Sequence, residues 1–134
     1  MRQIRLIIIF IALLLVGCSS GGAKTPEAAA QNWVNALFSA NAEQLRANMC
    51  KAQAIVLGET VMRGITEGLA SGGAVDVSGL IYSYNQATQS VTIGGRVRIS
   101  ALGTTVNRDL GELGLNILPV IQEDGGWKVC LSLP

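Results

Sequence analysis

The stretch VTIGGRVRIS, residues 91–100, alternates without a slip. Val91, Ile93, Val97 and Ile99 fall on one parity, and Thr92, Arg96, Arg98 and Ser100 on the other. A period of two describes a strand with one apolar and one wet face. Gly94 and Gly95 keep the parity, so one continuous strand is predicted. Its neighbours follow outward. A strand over residues 75–84 precedes it, joined by the turn residues Asn85-Gln-Ala-Thr88. Gly103 marks a turn after it, and a further strand spans residues 113–122. Pro119 cannot donate to a ladder, which implies an edge strand or a bulge. Asp124-Gly-Gly126 reads as a tight hairpin turn, and residues 127–133 as the last strand. The carboxyl-terminal half is therefore an antiparallel meander of about four strands.

Upstream of Ser71-Gly-Gly73 the period becomes helical. Thr25-Pro26-Glu27 is a start signal: a capping hydroxyl, a proline suited to the first helical position, and an acid at the positive end of the dipole. Ala29, Trp33, Ala36, Leu37 and Ala40 share one stripe of that helix. Asn41 is set to cap a second, short helix, with Gln44 three residues on and Leu45 and Met49 on its apolar side. A third helix is predicted over residues 52–70, with Ala54, Leu57, Val61, Ile65 and Leu69 on one face and Met62 beside them. Glu59, Arg63 and Glu67, four residues apart, read as a solvated face. Helices first and meander after make one α+β domain of two layers.

The amino terminus carries an uninterrupted apolar run, LIIIFIALLLV, of eleven residues from Leu6 to Val16. A membrane-spanning helix needs roughly 20 such residues. Arg2 and Arg5 precede the run and small residues follow it, which is the pattern of a secretory signal. Leu15-Val16-Gly17-Cys18 resembles the lipobox of bacterial lipoproteins. That resemblance implies cleavage before Cys18, lipidation of its thiol, further acylation of the palmitate type, and a mature chain of 134 − 17 = 117 residues. Residues 1–17 are then a cleaved signal peptide, 18–24 a Ser/Gly-rich tether, and 25–134 the folded domain. The expected address is the extracytoplasmic face of a bacterial envelope membrane, with the membrane itself as partner through Cys18.

With Cys18 assigned to lipid, Cys50 and Cys130 remain, an even pair in an oxidising compartment. They either form a disulfide or stand as two separate buried thiols. Alternation raises a difficulty for the bond. Trp127, Val129 and Leu131 share one face of the last strand, and Cys130 points the other way. A bond then requires pairing at the end of the sheet or an inverted face.

The helix TPEAAAQNWVNAL, a short helix ending in Cys50, a third helix, long strands and the closing EDGGWKVC at 123–130 together resemble a second family. These are the small secreted and lipid-anchored members of the nuclear-transport-factor-two-like superfamily. The resemblance implies a cystatin-like cone, a curved antiparallel sheet wrapped around a long helix. It also implies that the terminal cysteine pairs with the one after the second helix. Trp33, Leu37, Tyr82, Tyr84 and Trp127 are the pocket-forming types available to such a cone. Relatives often dimerise through the sheet, so a homodimer is a further expectation.

Composition excludes several classes. The mature domain carries eight Lys/Arg against nine Asp/Glu, a charge of 8 − 9 = −1, so nothing basic awaits nucleic acid. No histidine exists anywhere, which removes the usual near-neutral base and the commonest metal ligand. No phosphate-cradling glycine loop occurs. No cofactor and no metal site are expected, and no catalytic constellation is found. Asp76 is the one isolated carboxylate worth following, while Glu123 and Asp124 read as turn formers. Arg96 and Arg98 on one wet strand face would suit an acidic partner or merely solubilise. The expectation is a lipid-anchored, non-catalytic module binding a small apolar ligand or a peptide. The alternative is a structural or interaction domain of the envelope with a filled cone. An isomerase- or dehydratase-like enzyme stands behind both, and it requires a carboxylate inside the cone.

Overall fold

A computed structural model describes residues 22–70 and 72–131. Cys18 and the apolar leader lie outside the described residues, as do the side chains at 56–59, 61, 65, 69 and 70 within the third helix. Helix α1 spans Pro26–Phe38, α2 Ala42–Ala47 and α3 Lys51–Ala70. Strands follow as β1 (Ala74–Asp76), β2 (Ile81–Asn85), β3 (Ser90–Gly94), β4 (Arg96–Ala101) and β5 (Thr104–Asp109). After a 3-10 turn at Leu110–Leu113 come β6 (Ile117–Glu123) and β7 (Gly126–Val129). The α+β arrangement read from the sequence is the observed one.

Local chemistry sets the helix ends. The Thr25 hydroxyl accepts from the Ala28 amide at 3.1 Å, and Pro26 occupies the first turn. Asn41 Oδ1 accepts from the Gln44 amide at 3.1 Å and opens α2. Between these helices Ala40 takes φ +58°, so the chain reverses tightly.

The continuous strand expected over residues 91–100 is broken. Gly95 adopts φ +84°, and a Cβ there would run into the Gly79 carbonyl. β3 and β4 meet at this kink and belong to different sheets, ordered β2-β3-β6-β7 and β1-β4-β5. The partner strand breaks at the same level, between β1 and β2. Register runs Ala74↔Ser100 to Asp76↔Arg98 on one side and Ile81↔Gly94 to Asn85↔Ser90 on the other. One long hairpin is thus bent at Gly79 and Gly95, which curves the whole layer. Glycine satisfied the alternation while supplying the bend that the alternation concealed.

β5 was also missed. All six of its residues, TTVNRD, are exposed. A strand with no buried face carries no alternation to read. It pairs with β4 from Arg96↔Asp109 to Ala101↔Thr104. Among the described residues the sheets therefore hold seven strands, three and four, rather than about four.

Pro119 does not sit on an edge. β6 lies between β3 and β7. Cys130 N donates to Pro119 O at 2.9 Å, and the reciprocal bond is impossible because proline has no N–H. The ladder between β6 and β7 consequently ends there, and Cys130 leaves the strand.

α1 lies across the four-stranded sheet, touching β2, β3, β6 and β7, with α3 against α1 and α2. Ala29, Ala30, Trp33, Val34, Ala36, Leu37 and Phe38 form its buried stripe. They meet Val91, Ile93, Leu118, Val120 and Val129 from the sheet. From α3, Met62 enters this core and Thr66 is also buried, its hydroxyl donating back to the Met62 and Arg63 carbonyls at 3.1 and 2.9 Å.

Candidate functional site

The five nominated cone residues divide by depth. Trp33 and Leu37 on α1 are each 4% exposed and belong to the packed core. Tyr82 and Tyr84 on β2 and Trp127 on β7 are half-buried and pack against that core from the sheet. Tyr84 and Trp127 meet edge to face, with ring centroids 5.4 Å apart. The parity of β2 turns both tyrosines inward, so all five residues sit in the packed space between helix and sheet.

Two polar atoms in this space are left over. Trp33 Nε1 and Tyr82 Oη are both buried and have no hydrogen-bond partner among the described residues. Burial pushes the Tyr82 phenol up to about 12. A buried indole N–H and a buried phenol ordinarily find partners, because leaving one unpaired costs about 1–3 kcal/mol. These two groups are therefore the chemical feature of the cone: a donor and a donor–acceptor set among apolar walls.

Cys50 and Cys130 form a disulfide with Cα atoms 5.2 Å apart. The facing problem is resolved at the edge of the sheet. The link between α2 and α3 runs beside β7 as a parallel bridge, Met49↔Val129. Val129 N donates to Asn48 O at 2.8 Å, and Cys50 N donates to Val129 O at 2.9 Å. Cys50 thus stands next to Cys130 in the plane of the sheet, and nothing has to cross the core. Gln53, 4% exposed, continues this edge with its side chain. Its Oε1 accepts from Leu131 N at 2.9 Å and its Nε2 donates to Leu131 O at 3.2 Å, the pairing a strand neighbour would make.

The other end of β7 is clasped as well. Ala23 and Trp127 exchange backbone bonds of 3.2 and 2.9 Å, and Gly22 packs so closely on Gly126 that neither could carry a side chain. Gly22 and Ala23, read as part of the tether, are thus seated on β7.

Glu123 and Asp124 do more than turn the chain. Glu123 Oε1 accepts from Lys51 N at 2.9 Å, capping α3, and Asp124 pairs with the Lys51 ammonium at 2.8 Å. That pairing raises the Lys51 pKa, the hydrogen bond first and the attraction second. The Lys128 ammonium donates to the Ala47 carbonyl at the end of α2. Acid meets a helix start and base a helix end, as the dipoles favour. A charged cavity of about 410 Å³ opens here, with Glu43 and Arg46 on its other wall. A second cavity, of about 290 Å³, lies between α1 and α2, and amide side chains dominate its walls. None of the five cone residues lines either one.

Asp76 is exposed at the end of β1. Hydrogen bonds from Ser78, and then the charge of Arg98, hold its carboxyl below the usual range. It is a stable carboxylate in solvent and not a base raised by burial. Among the described residues no carboxylate is buried, no group of three or more His, Cys, Asp or Glu could hold a metal, and no helix is long and apolar enough to cross a membrane.

Sequence reasoning missed Gln53, the capping role of Glu123 and the amide-lined groove. For the groove a signal existed: Asn32 and Asn35 sit mid-helix on the wet side of α1, where better helix formers are usual.

No protein-family model matches the chain, and no curated protein matches it. Among solved structures, the chain is similar to a Campylobacter jejuni protein described as an NTF2-like transpeptidase, determined at 2.00 Å. The TM-score is 0.52 at 16% identity, over 81% of this chain and 100% of that one. At that identity the likeness carries the fold alone. The protein is a small α+β domain with an NTF2-like fold, as the closing EDGGWKVC and the helix order had suggested.

Proposed function

We propose that the chain is a lipid-anchored, non-catalytic binding module of a bacterial envelope. Its cone takes a small, mainly apolar ligand that carries a hydrogen-bond acceptor. The observation carrying the ligand reading is the pair Trp33 Nε1 and Tyr82 Oη, buried and unpartnered among the described residues. A ligand oxygen would meet the indole N–H, and the aromatic walls of Tyr84 and Trp127 would cover its apolar body. Native mass spectrometry on the protein purified from its own host tests this. A retained small molecule is expected, and Trp33→Phe should release it while the fold persists. A bare protein mass from wild type in every preparation would sink the reading.

Anchoring rests on the short leader and on Leu15-Val16-Gly17-Cys18, which lie outside the described residues. Palmitate labelling should mark the wild-type protein, and Cys18→Ser should abolish the label and release the chain from membranes. Retention of residues 1–17 on the extracted protein would refute it.

The second reading is an interaction domain, a homodimer or an envelope partner meeting the outer sheet face. Ile81, Ile117 and Ile121 favour it, being 69%, 53% and 36% exposed on the face turned away from the helices. Sedimentation of wild type against Ile117→Ser separates the two readings. A dimer that dissociates on that change supports the sheet contact, and a monomer at every concentration excludes the homodimer.

A further inference from the structure

We propose that the groove between α1 and α2 is a binding site for a neutral oligosaccharide. One wall is a row on α1, Asn32, Asn35 and Ser39; the other is a row on α2 and its caps, Asn41, Gln44 and Asn48. Spacings of three and four residues place each row on a single helix face. The space between them is about 290 Å³.

The lining decides the chemistry of the occupant. Among the described residues no ionisable side chain lines the groove, so a charged ligand finds no counter-charge there. Among the described residues Ala36 alone is apolar in the wall, so an apolar side chain finds little to bury against. What remains is a dense set of primary amides, each offering an N–H donor and a C=O acceptor side by side. Neighbouring hydroxyls on a sugar ring present the same pair in complementary order, and one amide can engage both. An extended peptide would also find donors and acceptors here, but recognition of peptides relies on pockets for alternate side chains, and this wall has none.

Not every amide is free for this. Asn41 Oδ1 accepts from the Gln44 backbone N–H, and Asn48 Nδ2 donates to the Gln44 backbone carbonyl at 2.7 Å. The side chains of Asn32, Asn35 and Gln44 are exposed and make no hydrogen bond among the described residues. Asn32 and Asn35 cap nothing and weaken the helix that carries them, which singles them out as ligand contacts. The scaffold around them is stiff. Asn41 N donates to Ala36 O at 2.9 Å across the reversal, and Cys50 beyond α2 is bonded to Cys130. Binding then has to order side chains and not the backbone that carries them.

The test is a titration of the nitrogen-15-labelled full chain in a sugar-free zwitterionic detergent, following side-chain amide signals. Cellotetraose and chitotetraose are the probes. Saturable shifts confined to Asn32, Asn35 and Gln44 are expected, with Kd at or below about 1 mM. Asn85, Asn107 and Asn116, elsewhere in the chain, should stay still. The double change Asn32→Ala with Asn35→Ala should weaken binding roughly tenfold or more, with Asn85 and Asn116 signals unmoved to show the fold intact. Absence of shifts with both sugars, equal shifts in the double variant, or equal shifts with an uncharged tetrapeptide would each overturn the proposal.

Discussion

Replacing both Cys50 and Cys130 by alanine removes a link between residues 80 positions apart. The chain-entropy relation for a loop of that length gives about 4.5 kcal/mol, because the open denatured chain gains freedom that the linked one lacks. The native state suffers less. Asn48 and Cys50 remain hydrogen-bonded to Val129, and Gln53 to Leu131, so the edge of β7 stays zipped. Cys50 is 1% exposed, and its truncation adds a small packing loss of about 1 kcal/mol. Urea unfolding at neutral pH should therefore show a loss of roughly 4–5 kcal/mol, a large part of the 5–15 kcal/mol typical of such domains. The melting temperature should fall by roughly 15–30 °C, and the urea dependence should steepen as the freed denatured chain expands. A loss under about 1.5 kcal/mol would refute the assignment of the stabilisation to the unfolded chain.

Gly95→Ala should cost roughly 2 kcal/mol or more in urea unfolding, because φ +84° and the Gly79 carbonyl both oppose a side chain; Gly94→Ala, with open space around it, should stay within about 1 kcal/mol. Thr25→Ala should cost about 1 kcal/mol by the same measurement, since the Ala28 amide loses its acceptor. Tyr82 supplies a pH effect whose sign is fixed. Its phenol titrates near 12 when folded and near 10 when unfolded, so the unfolded chain loses its proton first and stability falls as pH rises from 10 towards 12. Tyr82→Phe should flatten that fall, and stability independent of pH in the wild type over this interval would contradict the burial of the hydroxyl.

The parts legible in the sequence were those whose cause is local. Thr25-Pro26-Glu27 opens a helix by chemistry contained in three residues, and Asp124-Gly125 turns a hairpin by its own φ of +55° and +80°. Strand β5 was invisible because it has no buried face, and the break at Gly95 because glycine fits either parity. The partner of Cys130 was easy to name and its geometry hard to see. The link from Asn48 to Cys50 joins the edge of β7 through contacts about eighty residues apart in sequence, which no local pattern encodes. The orphaned indole and phenol were equally hidden, since both residues were nominated as pocket types while their lack of partners is a property of the packed molecule.

Gly22 and Ala23, seated on β7, shorten the leash. If the sulfur at position 18 carries acyl chains, only residues 19–21 separate it from the first docked backbone, and the four steps to Gly22 span about 14 Å at full stretch. A domain tied that closely explores a thin shell over the lipid headgroups. Under that condition it would meet molecules of its own leaflet at a high effective concentration, with little reach towards anything held on an opposing membrane.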